Sequence, residues 1–533
     1  MAGDELESWW REGALYQIYP RSYQDTNGDG VGDLPGIIER LDHLQWLGIR
    51  GVWLSPVTVS PNADFGYDVA DFCDIDPSLG TMSDLEALVD EAAARGIKVL
   101  LDLVPNHTSI EHLWFQESRS SRDNPKRDWY VWADPQPDGS PPNNWVSEFS
   151  GSAWTFDDTT GQYYLQMFLP EQADLNWWSD DVRDEFDRIL RFWFDKGVAG
   201  FRIDVAHMIV QDRELRDNPP ATDDDPFMVQ MRGQKPFYTS SRPEVHDVHR
   251  RLRAVAESYD PPRVLIGETF LSHIEDVMPF YGSGDELNLN FNIPFAHTPF
   301  EAAALRDAIE RTEAAVPDGC SLVWTGSNHD FTRFPTRWAE GDPDRARCAL
   351  MMLMTLRGSV FLFEGDEIGM VDTELTKQQL QDPVSITYFP VFGRDQVRTP
   401  MQWTGAPGAG FTDAGVEPWL PFGDLAYNVE DQRNDPDSFL SLCRDLIGVR
   451  DALPDLRSGA YASLDAPDGV LAYQRGERTV VALNLGTEST TLEPVAGVIR
   501  VATRRARDGD RVDGALTLEP GEGAVVLLDV PPG

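Results

Sequence analysis

A chain of 533 residues has room for a large core plus one or two smaller domains, and 41% apolar with 25% charged residues is the composition of a soluble globular protein. The formal net charge of −44 excludes nucleic acid and anionic lipid as partners, because both need a basic face, and leaves a neutral substrate as the simple option. Lysine occurs only at Lys98, Lys126, Lys196, Lys235 and Lys377, so 40 of the 45 basic residues are arginine, which fits a GC-rich genome or adaptation to high salt.

The opening stretch "MAGDELESWW" has no apolar signal core, and no run of about 18 apolar residues occurs, so neither export nor membrane insertion is expected. Cys73, Cys320, Cys348 and Cys443 are far apart with no CxxC spacing. That predicts no zinc site or disulfide framework and suits a reducing cytoplasm.

The first strand signal is "LYQIYP" (15–20), an aromatic and β-branched run closed by proline. The next stretch, "DTNGDGVGD" (25–33), sets oxygen-bearing side chains at alternate positions around glycines, as a hard cation such as calcium prefers. Read as an EF-hand it fails, because the twelfth position is Gly36 instead of a bidentate glutamate and the entering element is a strand. A solvated acidic turn without metal is the alternative.

Seven more strand signals follow: "IRGVWLSP" (49–56), "IKVLLDLVPNH" (97–107), "VAGFRIDVAH" (198–207), "VLIGET" (264–269), "LNLNFNIPF" (287–295), "LVWTGSNHD" (322–330) and "VFLFEGDEIGM" (360–370). Helical patterns lie between them, such as "SDLEALVDEAAARG" (83–96), with a serine cap and a terminal glycine, and "RDEFDRILRFWFDKG" (183–197). Eight alternating units predict a (β/α)8 TIM barrel; an open doubly wound sheet is the runner-up, but no GxGxxG turn follows any strand.

About seventy residues rich in Trp, Asp, Pro and Gly follow His107, a length that predicts a small subdomain over the barrel mouth. Beyond about residue 456 the pattern becomes alternating strands without helices, which predicts a C-terminal antiparallel β-sandwich. The expected division is a barrel over 1–106 and 177–455, an inserted subdomain over 107–176 and a C-terminal domain over 456–533.

In a barrel the carboxyl ends of the strands carry catalysis, and here they are unusually polar: Asn106 and His107, Arg202 and Asp204, Glu268, then Asn328, His329 and Asp330. Any one of these acids is more often a helix cap or a solvated loop residue, and a lone histidine a satisfied buried polar group. Apolar runs leading into charge are harder to dismiss, because a desolvated charge needs a partner or a task. Serine-hydrolase chemistry lacks its GxSxG elbow and zinc hydrolysis its HExxH. Glycosidic cleavage needs an acid for the leaving oxygen and a carboxylate for the oxocarbenium ion. Asp204 beside Arg202 is expected to stay ionised as a nucleophile. Glu268, reached through the apolar "VLIG" run, is expected to keep a proton as acid/base. Sixteen tryptophans, several in the inserted segment, fit stacking on sugar rings, although most tryptophans pack in cores.

The motifs "DLVPNH" (102–107), "GFRIDVAH" (200–207), "IGET" (266–269) and "NHD" (328–330) resemble, in order and spacing, the α-amylase superfamily of retaining glycoside hydrolases, family 13. The resemblance implies Asp204 as nucleophile, Glu268 as general acid/base and Asp330 as the carboxylate that binds and distorts the sugar, with His107, Arg202 and His329 holding the same ring. "ADFGYDVADF" (63–72), "QADLNW" (172–177) and "GRDQVRTPMQW" (393–403) are similar to the α-glucosidase and oligosaccharide glucosidase branch. That likeness implies that Asp64 and Arg394 close the pocket and grip the terminal glucose, with Tyr67 stacking on it, so that the enzyme is exo-acting on small oligosaccharides. It also implies one structural Ca2+ held by Asp25, Asn27, Asp29, Asp33 and the Val31 carbonyl. Two positions depart from the pattern: Ala173 replaces the proline of the branch's "QPDLN", and Val205 resembles the residue of α-1,6 enzymes. Since the insertion 211–245 differs from oligo-1,6-glucosidases, the reading leans to α-1,4 bonds. A glucosyl transferase or isomerase on the same site is the rival, and a non-catalytic binding subunit the remote one.

Overall fold

A computed structural model describes residues 9–529; the first eight and last four residues of the expected domains, including most of "MAGDELESWW", lie outside the described residues. Eight parallel strands form one sheet: β1 Ala14–Ile18, β2 Gly51–Leu54, β3 Lys98–Leu103, β4 Gly200–Ile203, β5 Val264–Gly267, β6 Leu289–Asn290, β7 Val323–Thr325 and β8 Ser359–Phe363. Their order is β6-β5-β4-β3-β2-β1-β8-β7, so each strand pairs with its neighbour in sequence and β1 pairs with β8. This is the eightfold barrel, drawn shut except along one seam: among the described residues no ladder joins β6 to β7. The two-residue length of β6 accounts for that, since its only ladder is the pair of bridges to β5.

The strands read as near-continuous apolar runs because both faces are covered. Outside them pack helices whose apolar faces point inward, such as Met82–Ala94 (Leu85, Leu88, Val89, Ala92) and Asp180–Asp195 (Val182, Phe186, Ile189, Trp193). The first is capped by Thr81 in a capping box with Asp84, two residues ahead of the expected serine; the Thr81 hydroxyl accepts from the Asp84 N–H and Ser83 lies inside the helix. Both helices end on glycines with positive φ, Gly96 (+74°) and Gly197 (+90°), as a left-handed turn requires.

The segment after β3 opens with strand His107–Ser109, which pairs antiparallel with Gln172–Asp174, and carries a three-stranded sheet of Trp132–Ala133, Gln162–Leu165 and Trp154–Asp157. Trp145 and Trp154 are buried there and stack on each other at 5.9 Å. These tryptophans are core, not sugar platforms. The insertion after β4 contains a short helix, Phe227–Arg232. At the C-terminal end six antiparallel strands form one sheet between Tyr461 and Leu528. One of its faces covers Val470, Val480, Ile499 and Val526; the other sends Leu471, Tyr473 and Leu483 into the barrel's core. No described helix is long and apolar enough to cross a membrane.

Candidate active site

The pairing of β3, β4 and β5 places Arg202 level with Asp102 on one side and Ile266 on the other. Its guanidinium, only 1% exposed, therefore meets three carboxylates at once: Asp102 at 2.8 Å, Asp204 at 2.7 Å and Glu268 at 2.8 Å. The face of Trp53 lies 4.9 Å from the guanidinium carbon and closes it off from below. The Val205 N–H donates to Glu268 Oε2 at 3.0 Å, and Val205 takes a φ of +36° to do so. For a β-branched residue that is a strained backbone, placed between Asp204 and its neighbour in the pocket.

Asp330, carried by the loop after β7, is held by Arg398 at 3.0 Å, His329 at 3.2 Å and Arg394 at 3.4 Å. Arg394 also reaches Asp64 at 2.7 Å and Asp382 by a still shorter contact. The turn bearing Asp64 is folded by Asp68, whose carboxylate accepts from the Ala63 and Asp64 N–H groups. A chain of hydrogen bonds ties the two halves together. Gln17 Nε2 lies 2.8 Å from His329 Nδ1 and, as a donor, leaves the ring proton on Nε2. That proton faces the Tyr67 hydroxyl at 2.6 Å, which donates in turn to Asp102 at 3.1 Å. The Tyr67 and His329 rings stack at 5.5 Å with 7° between planes. His107 bonds the Tyr67 carbonyl through Nε2 at 3.0 Å and Asn106 through Nδ1 at 3.2 Å.

The structure brings Asp64, Tyr67, His107, Arg202, Asp204, Glu268, His329, Asp330 and Arg394 together at the carboxyl ends of the strands. Sequence reasoning missed four members: Asp102, Asp382, Arg398 and Gln17. Asp102 and Arg398 stand inside motifs already quoted. Asp382 reads as an ordinary Asp-Pro helix cap, and it is one, accepting from the Ser385 N–H. Gln17 had a signal, a lone amide inside the all-buried run Ala14–Ile18.

Six carboxylates share three guanidinium groups in this pocket, so protonation is contested. Burial pushes Asp204 well up, and Arg202 opposes this incompletely because Asp102 and Glu268 divide it. The sequence reading weighed the guanidinium alone; burial is the larger effect. Asp102 is driven up to about 7 and Asp64 to about 6, in each case by burial against an arginine. Burial would raise Asp330 too, but His329, Arg394 and Arg398 outweigh it and hold that carboxyl well below the usual carboxylate range. Burial keeps His107 neutral, its pKa down at about 4, and holds His329 well below the usual imidazole range.

These shifts set a sign for stability. Asp102, Asp174 and Asp366, each raised by burial to about 7, keep protons in the folded chain that the unfolded chain releases near pH 4. Stability therefore falls as pH rises towards and through 7. Between pH 4 and 6.5 the buried neutral histidines oppose this, because the unfolded chain protonates them. Above 6.5 they no longer contribute. The melting temperature is expected to fall from pH 6.5 to 8.5; a flat or rising curve in buffered thermal melts would contradict the assignment.

Paired buried carboxylates on one guanidinium, at the carboxyl rim of a (β/α)8 barrel, mark a glycoside hydrolase. More narrowly, the chain belongs to the α-amylase family: the family model described as alpha amylase, catalytic domain, matches residues 17–459. Within it the chain falls in the α-glucosidase and oligo-1,6-glucosidase branch. It is 41% identical over 517 residues to a probable alpha-glucosidase of Rhizobium meliloti, covering 92% of this chain and 93% of that one. It is 38% identical over 536 residues to an oligo-1,6-glucosidase of Heyndrickxia coagulans, covering 92% and 94%. Among solved structures it is similar to the alpha-glucosyl transfer enzyme XgtA, with a TM-score of 0.89, 40% identity and coverage of 97% and 99%.

Proposed function

We propose that the protein is an exo-acting, retaining α-glucosidase that removes terminal non-reducing glucose from maltose and short maltooligosaccharides. The observation that carries the reading is Arg202 holding Asp204 and Glu268 on its two terminal nitrogens, an arrangement that suits a nucleophile beside an acid/base. Asp204 attacks the anomeric carbon while Glu268 protonates the leaving oxygen; Glu268 then takes a proton from water, which displaces the sugar from Asp204. The excess of carboxylates over guanidinium groups suits the positive charge that develops on the sugar, and that charge supplies Asp204 with the counter-ion Arg202 only partly provides. Asp330 lies ionised opposite. Asp64 and Arg394 are read as the closed end that fixes the terminal glucose, with Tyr67, His107 and His329 around its ring.

Support for α-1,6 bonds as a second reading comes from the likeness to an oligo-1,6-glucosidase and from Val205 beside Asp204. Proton NMR with maltose, isomaltose and sucrose in parallel separates the readings. Early α-glucose from maltose supports the proposal, early α-glucose from isomaltose supports the second reading, and new oligosaccharides or an isomer move the protein to the transferases.

The loop 25–33 is proposed to hold one structural Ca2+. Asp25 and Asn27 and Asp29 each curl back onto main-chain N–H groups, at 2.8 Å to Gly28, 2.9 Å to Asp29 and 2.9 Å to Val31, so that their oxygens share one loop. Asp33 is committed to Thr26 and to the Gly36 N–H at the start of helix Leu34–Leu47. Among the described residues no three His, Cys, Asp or Glu side chains converge as a metal cluster, the three aspartates of this loop included; the support for the site is the chemistry of its donors, three carboxylates, an amide and a carbonyl. All are hard oxygens, as calcium takes. At a free ion concentration of a hundred times Kd the ion would add about 2.7 kcal/mol. A chelator is expected to lower the melting temperature while leaving kcat at low temperature nearly unchanged; no change in melting would refute the site.

A further inference from the structure

Asp64 and Tyr67 are the first and fourth residues of one turn. The Tyr67 N–H donates to the Asp64 carbonyl at 3.1 Å, and the two residues between, Phe65 and Gly66, take φ of +46° and +105°. Positive φ at both central positions is a type I′ turn, whose usual residues are Asn-Gly or Gly-Gly. Gly66 suits its place and Phe65 does not. In the left-handed conformation Cβ crowds the following carbonyl oxygen, a crowding that asparagine tolerates far better than a bulky side chain. The Phe65 ring is only half-buried, so burial in a core does not explain why a strained residue stands there.

What holds it is a clamp from outside the turn. The Trp419 ring lies 5.3 Å from the Phe65 ring, and the Arg21 guanidinium carbon lies 5.2 Å from Phe65 and 5.6 Å from Trp419. Arg21 also donates to Asn62 Oδ1 at 3.0 Å, two residues before Asp64, where φ is again positive at +66°. Trp419 is itself fixed twice: its main-chain N–H donates to the Gly30 carbonyl at 2.9 Å and its indole N–H to Ser22 Oγ at 3.0 Å. Strain that surrounding contacts hold in place collects where position matters. Here the two ends of the strained turn are pocket residues: Asp64 pairs with Arg394 at 2.7 Å, and the Tyr67 hydroxyl meets His329 at 2.6 Å.

Resting on the glucosidase reading above, we propose that Phe65 is a positioning residue: clamped by Trp419 and Arg21, it sets the turn whose two ends aim Asp64 and Tyr67 at the terminal glucose. It acts through those two side chains and not on the reacting atoms. Asparagine in its place would relax the backbone and release the turn from its anchor, so that stability is kept while the grip on the sugar weakens. A residue that only packs would do the reverse.

The test measures kcat, KM and melting temperature of the full chain, with whichever of maltose, isomaltose and sucrose the wild type turns over fastest. Phe65→Asn is expected to raise KM about 5- to 10-fold, to change kcat by less than about threefold, and to leave the melting temperature equal or higher. Phe65→Tyr keeps the ring against Trp419 and is expected to hold KM within about twofold of wild type. Trp419→Leu removes the anchor from the other side and serves should Phe65→Asn not fold. It too is expected to raise KM about 5- to 10-fold, and adding Phe65→Asn to it should raise KM by less than about twofold more, because both changes remove one contact. Unchanged KM in Phe65→Asn and Trp419→Leu would overturn the inference and leave the glucosidase reading standing. So would a KM that rises in Phe65→Asn only together with a fall in melting temperature, or effects of the two changes that multiply in full. No turnover of any of the three sugars by the wild type would bring down the glucosidase reading and this inference together.

Discussion

Asp204→Asn is expected to lower kcat/KM on the best α-glucoside by about 10⁴-fold or more, the scale seen when a nucleophile is removed and only binding and polar stabilisation remain. The fold should survive. Asparagine keeps an oxygen for the Arg202 nitrogen now 2.7 Å from Asp204, and it relieves a site where burial already disfavours the charge. The melting temperature is therefore expected to be unchanged or higher, most clearly at pH 8, above the value of about 7 to which burial raises the neighbouring Asp102. Loss of activity with retained melting separates chemistry from folding. Residual activity above about 1% of wild type, in protein shown by mass to be undeamidated, would remove Asp204 from the reaction.

Arg202→Met should be the most damaging single change to the structure. It deletes the shared partner of Asp102, Asp204 and Glu268, all less than a tenth exposed. Removing one partner of a buried ion pair typically costs about 3–5 kcal/mol, because the charge left behind has nowhere to go. The carboxylates can escape the penalty by taking up protons, which fixes the pH dependence. The loss of stability relative to wild type should be smaller at pH 5 than at pH 8. Melting curves of both proteins across that range test it, and an equal deficit at both ends would mean that the guanidinium is not what compensates the three acids. Activity should vanish as well, since the acids would no longer be held apart in charge or position.

The barrel was legible because both of its signals are local. Each strand is an apolar run bounded by turn residues, and two of the acids directly follow such a run, Asp204 after Gly200–Ile203 and Glu268 after Val264–Gly267. Motif likeness then named the branch. What escaped was whatever depends on residues distant in sequence. Nothing near Asp382 shows that it will meet Arg394 and Arg398, because its local task as a helix cap is already complete. The proton balance of Asp204 could not be read from Arg202 alone, since Arg202 is shared with Asp102 a hundred positions earlier. The cap at Thr81 was misplaced by two residues because Thr81 and Ser83 are both good caps and only the Asp84 side chain, bonding back to the Thr81 N–H, decides between them.

The unclosed seam between β6 and β7 gives the barrel a grain. Seven ladders bind the strands from β6 round through β1 to β7, whereas at the seam no ladder is found among the described residues and side chains such as Phe295, just after β6, pack against Trp324 of β7 at 4.7 Å. Opening there breaks no strand-to-strand hydrogen bonds, so the least costly excursion of the wall lies on the side that carries Asp330. The Arg202 cluster, spanning β3 to β5, lies on the stiff side. The carboxylates proposed as nucleophile and acid/base thus belong to the fully laddered part of the ring, while the carboxylate proposed to grip and twist the sugar follows a strand at the seam.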